Sequence, residues 1–237
     1  MARTLDPDAY HRKREAILDV LEELIVSKGY DQVTIADILA AAGISKGAFY
    51  HYFQAKADVL SALLERRLGA WEAVLEPIVA TEAPALARLR ALLTTLSGAK
   101  TADRAFLVEA AAPVFADGNA VVAVRLRQDA ATRIAPLIAR LLEDAGREGT
   151  MVQDDPVTLA DIVITLVQDL ADRAGRSILA IAQGSGGPAH LHRIVSAHVG
   201  ALHRVLGLEP GTLDFITRQD IDAWADSASS RLAQERK

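Results

Sequence analysis

The sequence predicts an all-α protein. Three observations carry that expectation: alanine and leucine dominate a chain of 237 residues, the β-branched and aromatic runs that mark strands are scarce, and apolar residues recur at helical spacing in one segment after another. At 51% hydrophobic and 24% charged the composition is that of a globular chain. Its length allows one larger domain or a small domain joined to a medium one.

A first helix is expected from Pro7 or Asp8 to Lys28, with the proline in its opening turn and Gly29 at its carboxyl end. Ile17, Leu18, Leu21, Leu24 and Ile25 form its apolar stripe. Thr34 reads as the cap of "IADILAAA", which Gly43 ends, and Ser45 caps another helix two residues later. Helix, tight glycine turn, helix is the helix-turn-helix outline. From Lys56 a longer helix is expected to run to about Pro77 and to link two domains. "PALARLRALLTTLSG" follows, then "RAFLVEAAAPVFADG" with Pro113 as a breaker. A long helix is read from about Asn119 to Ala145, with Pro136 as a kink candidate. Pro156 opens the next, "GSGGP" ends it as a linker, "AHLHRIVSAHVGALHRVLG" makes another, and a polar amphipathic helix closes the chain.

Composition excludes several classes. With no cysteine there is no disulfide framework, thiolate nucleophile or thiolate metal site. No apolar run follows the basic residues at the start and no uncharged window is of membrane-spanning length, so a soluble, cytoplasmic protein away from membranes is expected. His190, His192, His198 and His203 lack the spacing that converges on a metal, and neither metal nor cofactor is expected. No serine elbow or P-loop is present, so the chain does not read as an enzyme. The net charge of −5 argues against a protein that coats nucleic acid over its whole surface. A local footprint is compatible with it: Arg12, Lys13 and Arg14 cluster at one helix start, and Lys46 and Lys56 bracket an aromatic segment.

That segment, "SKGAFYHYF" from Ser45 to Phe53, holds four aromatics in a chain that is 5% aromatic. On a helical wheel Phe49 and Tyr52 point one way with Ala48, and Phe53 lies at their edge; Lys46, Gly47, Tyr50 and His51 share the other side. Phe49 and Phe53 are accounted for as core. An outward tyrosine and histidine beside a lysine and a side-chain-free glycine suit entry into a DNA major groove. Gly47 permits close backbone approach, Lys46 reaches guanine O6 and N7, and Tyr50 and His51 donate to phosphate oxygens. The free N–H groups at the start of that helix favour phosphate, and Lys56 is placed for the same strand.

Arg14 to Leu60 resembles the DNA-binding segment of the tetracycline-repressor (TetR) family of one-component transcription regulators: "GY" at 29–30, Thr34, "AAGISKG" at 41–47, "FYHYF" at 49–53 and Lys56 fall in the family's order and spacing. The resemblance covers the first quarter of the chain. It implies base contacts from Lys46, Gly47 and Tyr50 and phosphate contacts from His51, Tyr52 and Lys56, with the capping hydroxyls of Thr34 and Ser45 at the same surface. Ala48 stands where many members carry Thr or Ser, so no hydroxyl contact comes from it. It also implies a DNA-binding domain over residues 1–55 and a larger helical domain over 56–237 that binds a small-molecule effector and forms a homodimer on a near-palindromic operator, usually as a repressor.

Candidates for effector contacts are Trp71, Phe106 and Phe115 as an aromatic wall, and Thr165, Asp169, Asp172 and Arg176 as a polar stripe. Core packing for the aromatics, and interface or surface salt bridges for the polar stripe, are the competing readings, and the spacing allows Asp169–Arg173 and Asp172–Arg176 pairs at i,i+4. The rival to the regulator reading is a helical ligand-binding or scaffold protein that has lost DNA binding. Only the acidic total favours it.

Overall fold

Pro7 lacks an N–H that the first turn of a helix would leave unpaired anyway, and the first helix (α1, Pro7–Lys28) begins on it. Gly29, at φ 78°, then turns the chain into a short 3-10 segment at Tyr30–Gln32. This computed structural model describes residues 7–98, 120–152 and 154–235. Among the described residues there are nine α-helices and no strand.

Thr34 caps the second helix (α2, Ile35–Ala42) by accepting from the Asp37 N–H, while the Asp37 carboxylate accepts from the Thr34 N–H and hydroxyl at 2.7 Å each. Gly43, at φ 61°, ends α2 in the left-handed conformation that glycine adopts without strain. Ser45 caps the third helix (α3, Lys46–Tyr52) through the Ala48 N–H. Phe53 is not part of α3: it sits in extended backbone just beyond it, with its ring still buried.

The fourth helix (α4, Lys56–Ala80) runs past the expected stop at Pro77. Pro77 removes one N–H bond to the carbonyl of Ala73, but both residues are exposed, so water can take that carbonyl. Burial of Val79 beyond it favours continuing the helix. α5 (Ala85–Leu96), α6 (Ala120–Arg147), α7 (Pro156–Ala182), α8 (Pro188–Val205) and α9 (Arg218–Glu235) follow close to the expected limits, and α6 continues through Pro136. The "RAFLVEAAAPVFADG" stretch and its Pro113, with Phe106 and Phe115, lie outside the described residues.

Among the described residues, the buried side chains form two separate clusters. The first gathers Ile17, Leu18, Leu21 and Ile25 of α1, Ile38 of α2, Phe49 of α3 and Val59, Leu60 and Leu63 of α4. The second is larger and is built from the end of α4 (Leu75, Val79) and from α5 to α9. α4 therefore contributes to both. Its amino-terminal half is tied to α1 by Arg66, whose guanidinium donates to Glu15 (3.1 Å), Asp19 (2.7 Å) and Glu22 (3.0 Å), and by an Arg67–Glu22 pair. Its far end is tied to α6 by Arg140 and Glu76 at 2.7 Å. Within the second cluster Arg88 of α5, one-tenth exposed, reaches Asp144 of α6 at 2.8 Å and the carbonyl of Val79 at 2.8 Å. No described helix is long and apolar enough to cross a membrane.

Candidate nucleic-acid interface

α3 presents two unlike sides. Phe49 is fully buried against the first core, and Lys46, Gly47, Tyr50 and His51 are all exposed along the opposite side. This is the division the helical wheel gives, and it arises because the i, i+4 pair Lys46–Tyr50 and the pair Gly47–His51 share one face. Phe49 is the anchor. Its ring lies 6.2 Å from that of Phe53 and edge-on to Tyr50 at 5.5 Å, so burial of one aromatic fixes the attitude of the exposed one.

A glycine inside a short helix needs a reason, since it costs about 0.5–1 kcal/mol relative to alanine. A Cβ on Gly47 would meet nothing nearer than the Ser45 hydroxyl at 4.0 Å. The fold leaves that space open.

The surface extends beyond α3 to a residue the sequence reading did not single out. Tyr10, in the first turn of α1, packs edge-on to His51 with centroids 5.6 Å apart and against Tyr52 at 4.8 Å. Tyr52 is thus half-buried between helices. One turn further along α1, the Arg14 guanidinium lies 5.1 Å from the centre of the Phe53 ring. The signal available in the sequence was the i, i+4 pairing of Tyr10 with Arg14 on the side of α1 that continues into Ile17 and Leu21.

Thr34 and Ser45 are exposed, but each hydroxyl serves as a helix cap. Asp37 is held well below the usual carboxylate range, chiefly by Lys28, whose ammonium lies 2.6 Å away, and then by Thr34.

Lys56 departs from expectation. Its ammonium is turned inward, donating to the carbonyls of Tyr30 (3.1 Å) and Val33 (2.8 Å) and lying 4.1 Å from the centre of the Tyr30 ring. The reason is local: Tyr30, in the 3-10 turn, and Val33 just beyond it aim two carbonyls at the start of α4, and these compete successfully for the cation. Burial lowers the Lys56 pKa, against the nearby Asp31 carboxylate, which raises it. Burial pushes the Tyr30 phenol up to about 12, helped by Asp31 and Asp58.

Among the described residues, the expected effector candidates Trp71, Thr165, Asp169, Asp172 and Arg176 have different surroundings. Trp71 is half-buried on α4, between the residues that α4 gives to the two cores. Thr165 donates back to the Asp161 carbonyl of its own helix at 2.7 Å, and Arg176 is exposed. Asp169 pairs with Arg173 at 2.7 Å, as the spacing predicted, and also with His198 of α8 at 2.8 Å; both partners, His198 first, lower its pKa. Asp172 reaches across to Arg127 of α6. These carboxylates tie helices together. Among the described residues no group of histidines and acids could hold a metal ion.

A capped helix-turn-helix whose second helix exposes a lysine, a glycine and two rings, followed by a larger set of helices, has the outline of the helix-turn-helix class. Residues 17–63 match the profile described as bacterial regulatory proteins, tetR family. The chain matches that profile over its helix-turn-helix and the first turns of α4. It is 36% identical over 61 residues to the transcriptional repressor NemR of Escherichia coli, a match that covers 26% of this chain and 31% of NemR. Across the curated relatives it matches, the chain spans between 24% and 41% of their length. Structural likeness reaches much further. A TetR-family regulator of Pectobacterium atrosepticum superposes with a TM-score of 0.66 at 19% identity, covering 86% of this chain and 98% of that one. The Thermus thermophilus repressor FadR, solved with lauroyl-CoA, gives 0.57 at 21% identity, covering 84% and 97%. At these identities the likeness establishes the fold.

Proposed function

We propose that the protein is a ligand-responsive repressor that binds a near-palindromic operator as a homodimer through α3. The observation that carries the reading is the outer side of α3. Lys46, Gly47, Tyr50 and His51 are exposed together, and Gly47 occupies a helical position where the fold itself has room for a methyl group. A duplex brought against that side explains the glycine. Lys46 and Tyr50 are then placed for base edges, with His51, Tyr52 and the backbone at Thr34 and Ser45 placed for phosphates.

In this reading residues 1–55 are the DNA-binding domain and 56–237 the effector and dimerisation domain, with the first turns of α4 packing as part of the former. Dimerisation through α7 and α8 is supported by the side of α8 that carries Ser196, Ala197, Gly200 and Ala201, small enough for close approach of a second helix. A small-molecule effector bound near Trp71 must favour one separation of the two α3 helices over another, since a ligand without such preference shifts nothing. That FadR of the same fold was solved with lauroyl-CoA supports a ligand-binding role for the larger domain.

The test is selection of bound sequences from a random duplex pool at physiological salt, with wild type, Tyr50→Ala and Gly47→Ala in parallel. Wild type enriches a near-palindrome and neither variant does, although Gly47→Ala melts no lower than wild type. Enrichment of the same sequence by Gly47→Ala would remove the support that α3 gives to this reading.

A further inference from the structure

The geometry points to Lys56 as a positioning residue that fixes the entry of α2 against the exit of α3, and not as a phosphate contact. This rests on the DNA-binding reading above. Lys56 is the first residue of α4 and follows the end of α3 by only Phe53, Gln54 and Ala55. Its ammonium holds the carbonyls of Tyr30 and Val33, and Val33 immediately precedes Thr34, the cap of α2. One cation therefore joins the two ends of the helix-turn-helix unit.

The surroundings make that join specific. The Tyr30 ring lies beneath the ammonium at 4.1 Å and is itself buried in the first core. Asp58 caps the start of α4, accepting from the N–H groups of Gln54 (3.0 Å) and Ala55 (2.9 Å). Two of the three Lys56 donors are used inside the protein. A cation committed in this way governs where α3 and the start of α2 stand relative to each other, and so whether base and phosphate contacts fall into register together.

The test uses the full-length protein and the duplex selected above, with a random duplex of equal length as comparison. Affinities of wild type, Lys56→Met and Lys56→Arg are measured over a range of salt, at a temperature where circular dichroism reports each as folded. Lys56→Met keeps the apolar stem and loses the donors; Lys56→Arg restores two donors. The expected result is a fall of at least about tenfold in the selected-to-random ratio for Lys56→Met, with the slope of log K against log salt unchanged and the ratio partly recovered in Lys56→Arg. A lost phosphate contact would instead lower the slope by about 0.9 for each contact, for both duplexes alike. That outcome overturns the inference, and so does a lowered melting temperature with ratio and slope both intact. If wild type itself fails to prefer the selected duplex, the DNA-binding reading falls and takes this inference with it.

Discussion

Tyr10 and His51, far apart in sequence, meet edge to face with their ring centroids 5.6 Å apart, so the first turn of α1 supports the exposed side of α3. Aromatic pairs of this kind contribute about 0.5–1.5 kcal/mol beyond the area they bury. Tyr10→Ala should weaken binding to the selected duplex by ~3- to 10-fold, because His51 and Tyr52 lose the surface that orients them. Fluorescence anisotropy titration tests this, with Tyr10→Phe as control. The control should bind like wild type, since the contact is made by the ring; a Tyr10→Ala protein that binds equally well would refute the orienting role.

Arg66 faces three carboxylates of α1, and its removal would leave Glu22 to Arg67 and Glu15 to a longer contact with Arg14, while Asp19 loses its 2.7 Å pair. The group is about 29% exposed, so solvent screening limits each pair to a fraction of its Coulomb energy. For the three together we expect Arg66→Met to cost about 1–2 kcal/mol in urea unfolding, with the loss shrinking in 1 M salt. Arg140→Met, which breaks an equally short pair with Glu76 that is half exposed on both sides, should change stability by no more than about 0.5 kcal/mol.

Asp37 is a carboxylate whose pKa folding depresses, through Lys28 first and Thr34 second. Such a group contributes stability above its unfolded pKa, near 3.9, and that contribution is lost as pH falls toward the depressed folded value. Melting temperature should therefore decline with acidification below about pH 4.5 in wild type. Asp37→Asn should start lower at neutral pH and decline less steeply. Parallel curves for the two proteins would show that Asp37 takes no part in the acid response.

His203, buried at the end of α8, places Nδ1 on the Val199 carbonyl at 2.8 Å and accepts the Leu213 N–H at Nε2 at 3.0 Å. The neutral ring with its proton on Nδ1 satisfies both bonds. Replacing it by leucine keeps volume but leaves the Leu213 N–H without its acceptor, a loss of about 1–3 kcal/mol. Hydrogen exchange at Leu213 should accelerate in His203→Leu, and unchanged protection there would argue that another acceptor takes over.

The parts of the molecule legible in the sequence are those fixed by neighbours along the chain. Thr34, Gly43 and Ser45 announce two caps and a turn, and the inward Phe49 with outward Lys46 and Tyr50 follows from helical spacing alone. What escaped depends on which distant surfaces meet. Lys56 looked like an available cation because nothing nearby in sequence competes for it; the competitors are the carbonyls of Tyr30, in the 3-10 turn, and of Val33 just beyond it, which periodicity does not reveal. Asp172 was open to a partner one turn away, yet it reaches Arg127 on another helix. Pro77 was read as a stop, and the burial of Val79 beyond it outweighs one missing bond.

The two clusters of buried side chains leave a stretch of α4 that belongs to neither, from Glu65 to Val74. Arg66 and Arg67 are bound to acids of α1, which shortens the neutral stretch to residues 68–74. At Gly69, within it, a Cβ would touch only an Arg133 guanidinium nitrogen at 3.6 Å. Among the described residues, a recombinant chain spliced there cuts through neither buried cluster and severs none of the Arg66 and Arg67 pairs to α1. The front end of this protein can accordingly be exchanged for that of a relative, as a cassette whose seam is a single continuous helix.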